Sequence, residues 1–196
     1  MPRVTLEFKK KADGPTILTF VREDGSRTSS PIGPADHYGP VHDLSHYVAE
    51  SVLGIKRGFL GLCGEGWSIQ DFGTDTMKDL PPEAAVAEAI AGSLSRMEMM
   101  KQWDSLDDFN WACTSALSNG NVGDRAKKWG ELGLAIDAWR RGEAPVAVTQ
   151  EEYDAMWRAL LRLRGEWNRV APGDTLRLLF EPGARVSVGA EGAMTS

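Results

Sequence analysis

The β-patterned stretches of this chain lie at its two ends and the helical ones lie between them, and that arrangement limits the fold more than any other feature. Val4 to Lys9 alternates Val, Leu and Phe with Thr, Glu and Lys, and residues 16–22 form a β-branched and aromatic run. An Ala-Asp-Gly turn separates them. Asp24-Gly25-Ser26 leads into a possible third strand at 27–30, which Pro31, Gly33 and Pro34 bring to an end. Near the other end, Pro172-Gly173-Asp174 opens a strand over 175–181, and a Pro182-Gly183 turn leads to another over 185–188. An isolated hairpin is marginal in water, so the economical arrangement is one antiparallel sheet built from the N- and C-terminal hairpins, with the helical middle packed on one face. The expected fold class is α+β. Residues 1–188 are expected to form a single domain, and 189–196 a loose C-terminal tail.

Helices are expected over 82–102, 106–117, 124–141 and 149–170. Pro81-Pro82-Glu83 places proline in a first turn, and Thr149 with Glu152 three residues later makes a capping box. Gly120, Gly123, Gly142 and Pro145 supply the breaks. A further helix is expected to start near Pro40 or Val41 and to stop at Gly54. Val41, Leu44, Val48 and Val52 recur along it at helical spacing as a buried stripe.

That helix carries the one constellation with evident chemistry. All three histidines fall between positions 37 and 46, and His42, His46 and Glu50 recur at i, i+4 and i+8. Such spacing stacks them on one helical face, about 140° from the valine stripe at about 100° per residue. The face is therefore expected to point away from the core that the valines enter. Gly58 to Trp67 follows, with four glycines that permit very close backbone approach, and it is expected to pack across the histidine face and shield it.

His42-Asp43-Leu44-Ser45-His46 resembles the His-Glu-x-x-His helix of zinc metallohydrolases. The resemblance covers five residues. It implies a zinc ion, or another divalent transition metal, held by His42 and His46, and a general-base role for the carboxylate between them. Asp43 occupies that position but is one methylene shorter than glutamate. For further ligands the sequence offers His37 from the preceding loop, then Glu50 or Glu65. Three successive positions on one face span about 12 Å, too far for one ion with bonds of about 2 Å, so orienting His46 is an alternative role for Glu50. The expected function is a divalent-metal-binding protein, extending to a zinc-dependent hydrolase that acts on a small molecule or peptide.

The competing reading is a non-catalytic module, binding a small ligand or a protein, with a structural histidine helix. It rests on seven tryptophans, Trp67, Trp103, Trp111, Trp129, Trp139, Trp157 and Trp167, most at helical positions. A net charge of −6 disfavours nucleic acid and anionic membrane as partners. No apolar stretch is long enough to span a bilayer, and the amino terminus lacks a secretory signal pattern. With Cys63 and Cys113 in separate segments, free core thiols and a cytoplasmic location are expected.

Overall fold

A computed structural model describes residues 2–72, 80–102, 105–118 and 148–185. Four strands, β1 (Val4–Lys9), β2 (Ile17–Arg22), β3 (Arg27–Pro31) and β4 (Thr175–Phe180), form one antiparallel sheet in the order β3-β2-β1-β4. The register sets Leu6 between Phe20 and Leu178, so the first and last described strands meet directly along β1. Strand alternation then sorts the side chains. Val4, Leu6, Phe8, Leu18, Phe20, Leu176, Leu178 and Phe180 are buried on one face. The other face carries Glu7, which pairs with Arg177 at 3.0 Å and Arg27 at 3.7 Å. The α+β architecture read from the sequence is therefore present. Residues 186–188 of the expected second C-terminal strand, the helix over 124–141 and the tail 189–196 lie outside the described residues.

Five α-helices are described: α1 (Tyr38–Leu53), α2 (Phe59–Gly64), α3 (Pro82–Met100), α4 (Leu106–Ser118) and α5 (Gln150–Arg169). A single 3₁₀ turn spans Ile69–Phe72. α5 begins with the anticipated capping box: Thr149 accepts from the Glu152 amide, and the Glu152 side chain accepts from the Thr149 amide. α1 starts two residues before Pro40 and ends on Gly54, whose left-handed φ of 67° suits glycine. Helix α2 was not anticipated. Its glycines lower helix propensity, but burial of Leu60, Leu62 and Cys63 outweighs that preference.

α1 lies between α3 and α5, and α2 also packs against it. Twelve of its sixteen residues are buried. The face bearing His46 and Glu50 is as deeply enclosed as the valine stripe, because α2 and α3 cover it. The two chain ends are further tied by Lys10, whose Nζ donates to the Trp167 carbonyl at 3.0 Å and the Val170 carbonyl at 2.9 Å, capping the end of α5.

Among the described tryptophans, Trp157 and Trp167 are core residues, Trp67 is half-buried and Trp111 is exposed. Trp103, Trp129 and Trp139 lie outside the described residues. Cys63 and Cys113 are free and buried, and burial pushes both thiols up, that of Cys113 to about 11. Among the described residues, no helix is long and apolar enough to cross a membrane.

Candidate metal centre

The histidine pair of α1 faces α3, which packs along it. Residues 84–91 of α3 read Ala-Ala-Val-Ala-Glu-Ala-Ile-Ala, and Ala84, Ala85, Ala87, Ala89 and Ala91 are all buried. Small residues let two helices approach closely. Glu88, the one polar residue of that stretch, sits opposite the histidines.

His46 Nε2 lies 3.0 Å from Glu88 Oε2, and His42 Nε2 lies 3.5 Å from Glu88 Oε1. The two imidazoles pack edge to face at 4.8 Å. One donor atom from each of His42, His46 and Glu88 fits within a sphere of mutual distances no greater than 4.8 Å. Ligation at about 2.0–2.2 Å requires drawing these atoms inward by about an ångström. The Glu88 side chain, 53% exposed, has the freedom to supply that movement.

Each imidazole is held from behind through its other nitrogen. His46 Nδ1 lies 3.3 Å from Glu50 Oε1, and His42 Nδ1 lies 3.1 Å from Tyr38 Oη. Glu50, fully buried, is itself fixed: its carboxylate accepts from the Leu60 amide at 3.1 Å and the Gly61 amide at 3.4 Å, at the start of α2. A methyl group on Gly58 would stand 2.4 Å from the Glu50 carboxyl carbon, so only glycine lets the backbone approach here. Phe59 rests against the His46 ring at 5.1 Å. The glycine-rich segment thus covers the histidine face as anticipated.

The electrostatics follow from this packing. Burial alone would strip the His46 proton, but hydrogen bonds to Glu50 and Glu88 and their charges outweigh it and raise His46 to about 10. Partial burial against α1 would raise Glu88, yet hydrogen bonds from His42 and His46 and the histidine charges hold it well below the usual carboxylate range. Burial pushes the Glu50 carboxyl up against the opposing pull of His46. Asp43, 8% exposed, is pushed up to about 6 by burial, with the charges of His42 and His46 acting against that rise.

A pH prediction arises here. A raised histidine contributes stability that is fully present below its unfolded value of about 6.5 and is lost as pH climbs through its folded value. The metal-free protein should accordingly weaken between about pH 6.5 and 10 as the His46 proton leaves. Nitrogen-15 NMR of histidine-labelled, metal-free protein should show His46 as imidazolium at about pH 8, where an unperturbed histidine is neutral. A neutral ring there would remove the charge assigned to it.

The candidates read from the sequence separate at this site. His42 and His46 converge as expected. His37 precedes the first turn of α1 with its side chain exposed, and it is not among the converging residues. Glu50 stands on the Nδ1 side of His46, the orienting position, rather than with the converging donors. Glu65 pairs with Arg57 at 3.1 Å. The carboxylate facing both histidines is Glu88, which sequence reasoning missed. Its signal was a lone acid in an otherwise alanine-rich, apolar helical run. No protein-family model, curated protein or solved structure matches the chain.

Proposed function

We propose that this chain binds one divalent transition-metal ion through His42, His46 and Glu88, zinc being well suited to two imidazoles and a carboxylate. The observation that supports the reading most is the shared orientation of the histidines. Both aim Nε2 at Glu88 while Nδ1 is engaged behind, by Glu50 for His46 and by Tyr38 for His42. Metal-binding histidines are held in this way, because a partner on the second nitrogen fixes the tautomer that leaves the first one free to ligate. A buried imidazolium also needs an acceptor on each nitrogen, which Glu50 and Glu88 supply to His46; what favours the metal reading over a lone ion pair is the second ring, His42, with its own Nε2 turned to the same carboxylate.

With three protein ligands a zinc ion would keep one coordination position open, and the chemistry it would supply there is an acidified water, with a pKa of about 7. The reaction class proposed is therefore hydrolysis. Asp43 is the base in this reading: it is buried beside the histidines, and its carboxyl, raised to about 6, is a stronger proton acceptor than an ordinary aspartate.

Protein purified without chelator should contain close to one equivalent of zinc or a related metal by inductively coupled plasma mass spectrometry. A His42→Ala/His46→Ala double variant should contain none. Equal metal in both, or none in the wild type even after metal is added back, rejects the site. With metal retained, Asp43→Asn should abolish hydrolysis; full activity in that variant would remove Asp43 as the base.

A further inference from the structure

His42 and His46 present the same nitrogen to Glu88 but are backed by different chemistry. Behind His46 stands Glu50, a carboxylate from the same helix. Behind His42 stand two hydroxyls from two helices. Tyr38 Oη, one turn earlier on α1, lies 3.1 Å from His42 Nδ1, and Ser95 Oγ of α3 lies 3.4 Å from it. The Ser95 side chain is fully buried, and its hydroxyl can donate to the Gly92 carbonyl at 3.1 Å or to Tyr38 Oη at 3.2 Å. The Tyr38 ring stacks on the His42 ring at 5.1 Å and 21°, although Tyr38 is 48% exposed.

An imidazole that ligates through Nε2 carries its proton on Nδ1, where it is a donor that needs an acceptor. Tyr38 Oη and Ser95 Oγ are oxygens within reach of that proton. We propose that Tyr38 and Ser95 are positioning residues of the metal site, whose hydroxyls hold His42 in the Nδ1–H tautomer with Nε2 aimed at the ion. The inference rests on the metal reading above and extends it to residues that no ligand motif contains.

The arrangement also ties the site to one helix pair. Ser95 follows Glu88 by seven residues, two turns along the same face of α3. α3 therefore supplies one ligand and anchors another, which lies on α1. The two histidines are not equivalent in this scheme. A hydroxyl accepts the Nδ1 proton less strongly than a carboxylate does, so His42 is the weaker donor to the ion. It is also the more accessible ring, with 18% of its side chain exposed against 3% for His46.

The test is a cobalt(II) titration of the full chain, followed by visible d–d absorption, in the wild type, Tyr38→Phe, Ser95→Ala and the double variant. Tyr38→Phe keeps the stacked ring and removes only the hydroxyl, while alanine at 95 suits the helix. The double variant should lose about 10- to 100-fold in cobalt affinity and show a displaced band, with smaller losses in each single variant. The metal-free variants should lose only the modest stability of the missing hydroxyl hydrogen bonds, whereas the displaced band reports the ligand geometry itself, which a merely structural contribution would not move. In zinc-loaded wild type, nitrogen-15 NMR should place the His42 proton on Nδ1. Cobalt binding in the double variant with wild-type affinity and spectrum overturns the positioning role while leaving the metal site standing. Should the double variant fail to fold, Tyr38→Phe decides alone: an unshifted band and unchanged affinity overturn the proposal. Absence of cobalt binding in the wild type defeats the metal reading itself, and this inference with it.

Discussion

Glu50→Ala should destabilise the protein by about 3–5 kcal/mol, the loss typical when one partner of a buried charged network is removed. The carboxylate is 0% exposed and serves three groups that cannot turn to water: His46 Nδ1 and the amides of Leu60 and Gly61. Each buried donor left without an acceptor costs about 1–3 kcal/mol. Truncation to alanine also opens a cavity beneath Gly58, the backbone that approaches Glu50 most closely. Glu50→Gln keeps the volume and one carbonyl acceptor, so its cost should be smaller, but its amide group faces donors and cannot satisfy all of them. Urea unfolding of metal-free protein separates the cases. A loss below about 1 kcal/mol for Glu50→Ala would show that α2 and His46 do not depend on this carboxylate.

That prediction could not have been made from the helical wheel, and the reason marks where sequence reading stopped. Alternation in Val4 to Lys9 and the capping box at Thr149 act over a few residues, so strands, helices and their class were visible from local pattern. The spacing of His42 and His46 was visible for the same reason. What closes over their face is a matter of packing between elements distant in sequence. The wheel placed His46 and Glu50 away from the valines, which invites a solvent-facing reading; α2 and α3 instead bury both. Period alone does not distinguish a face that meets water from one that meets a second helix.

The same limit applies to the third carboxylate. Among local candidates, Glu50 shared the helical face and His37 lay in the preceding loop, but neither reaches the Nε2 side of the pair. Glu88 is 42 residues from His46 and reaches it because α3 packs along α1. The glycines of the 58–66 segment are a comparable case. Their number signalled close approach, but only the fold reveals that the neighbour of Gly58 is a buried carboxylate. Small residues announce that something comes near without stating what.

Removing Glu88 should produce the opposite pattern to removing Glu50, and the contrast assigns the two carboxylates. Glu88→Ala takes away a proposed ligand whose side chain is 53% exposed, so the fold should survive. The buried His46 loses one of its two acidic partners; it can shed its proton rather than remain charged, which limits the cost in stability. Metal affinity should fall by more than the roughly 10- to 100-fold typical of losing a residue that only supports a ligand. Glu88→Asp, one methylene shorter, should retain part of that affinity because the half-exposed chain can still lean inward. Glu50→Gln should weaken metal binding only within the supporting-residue range, since it preserves an acceptor for the His46 Nδ1 proton. Competition against a chromophoric zinc chelator measures all of these on one scale. If Glu88→Ala bound zinc like the wild type while Glu50→Gln did not, the ligand would be Glu50, and the ion would have to sit on the Nδ1 side of His46. The geometry opposes that outcome: a carboxylate already committed to two backbone amides has little freedom to turn toward an ion, whereas Glu88 faces both histidines.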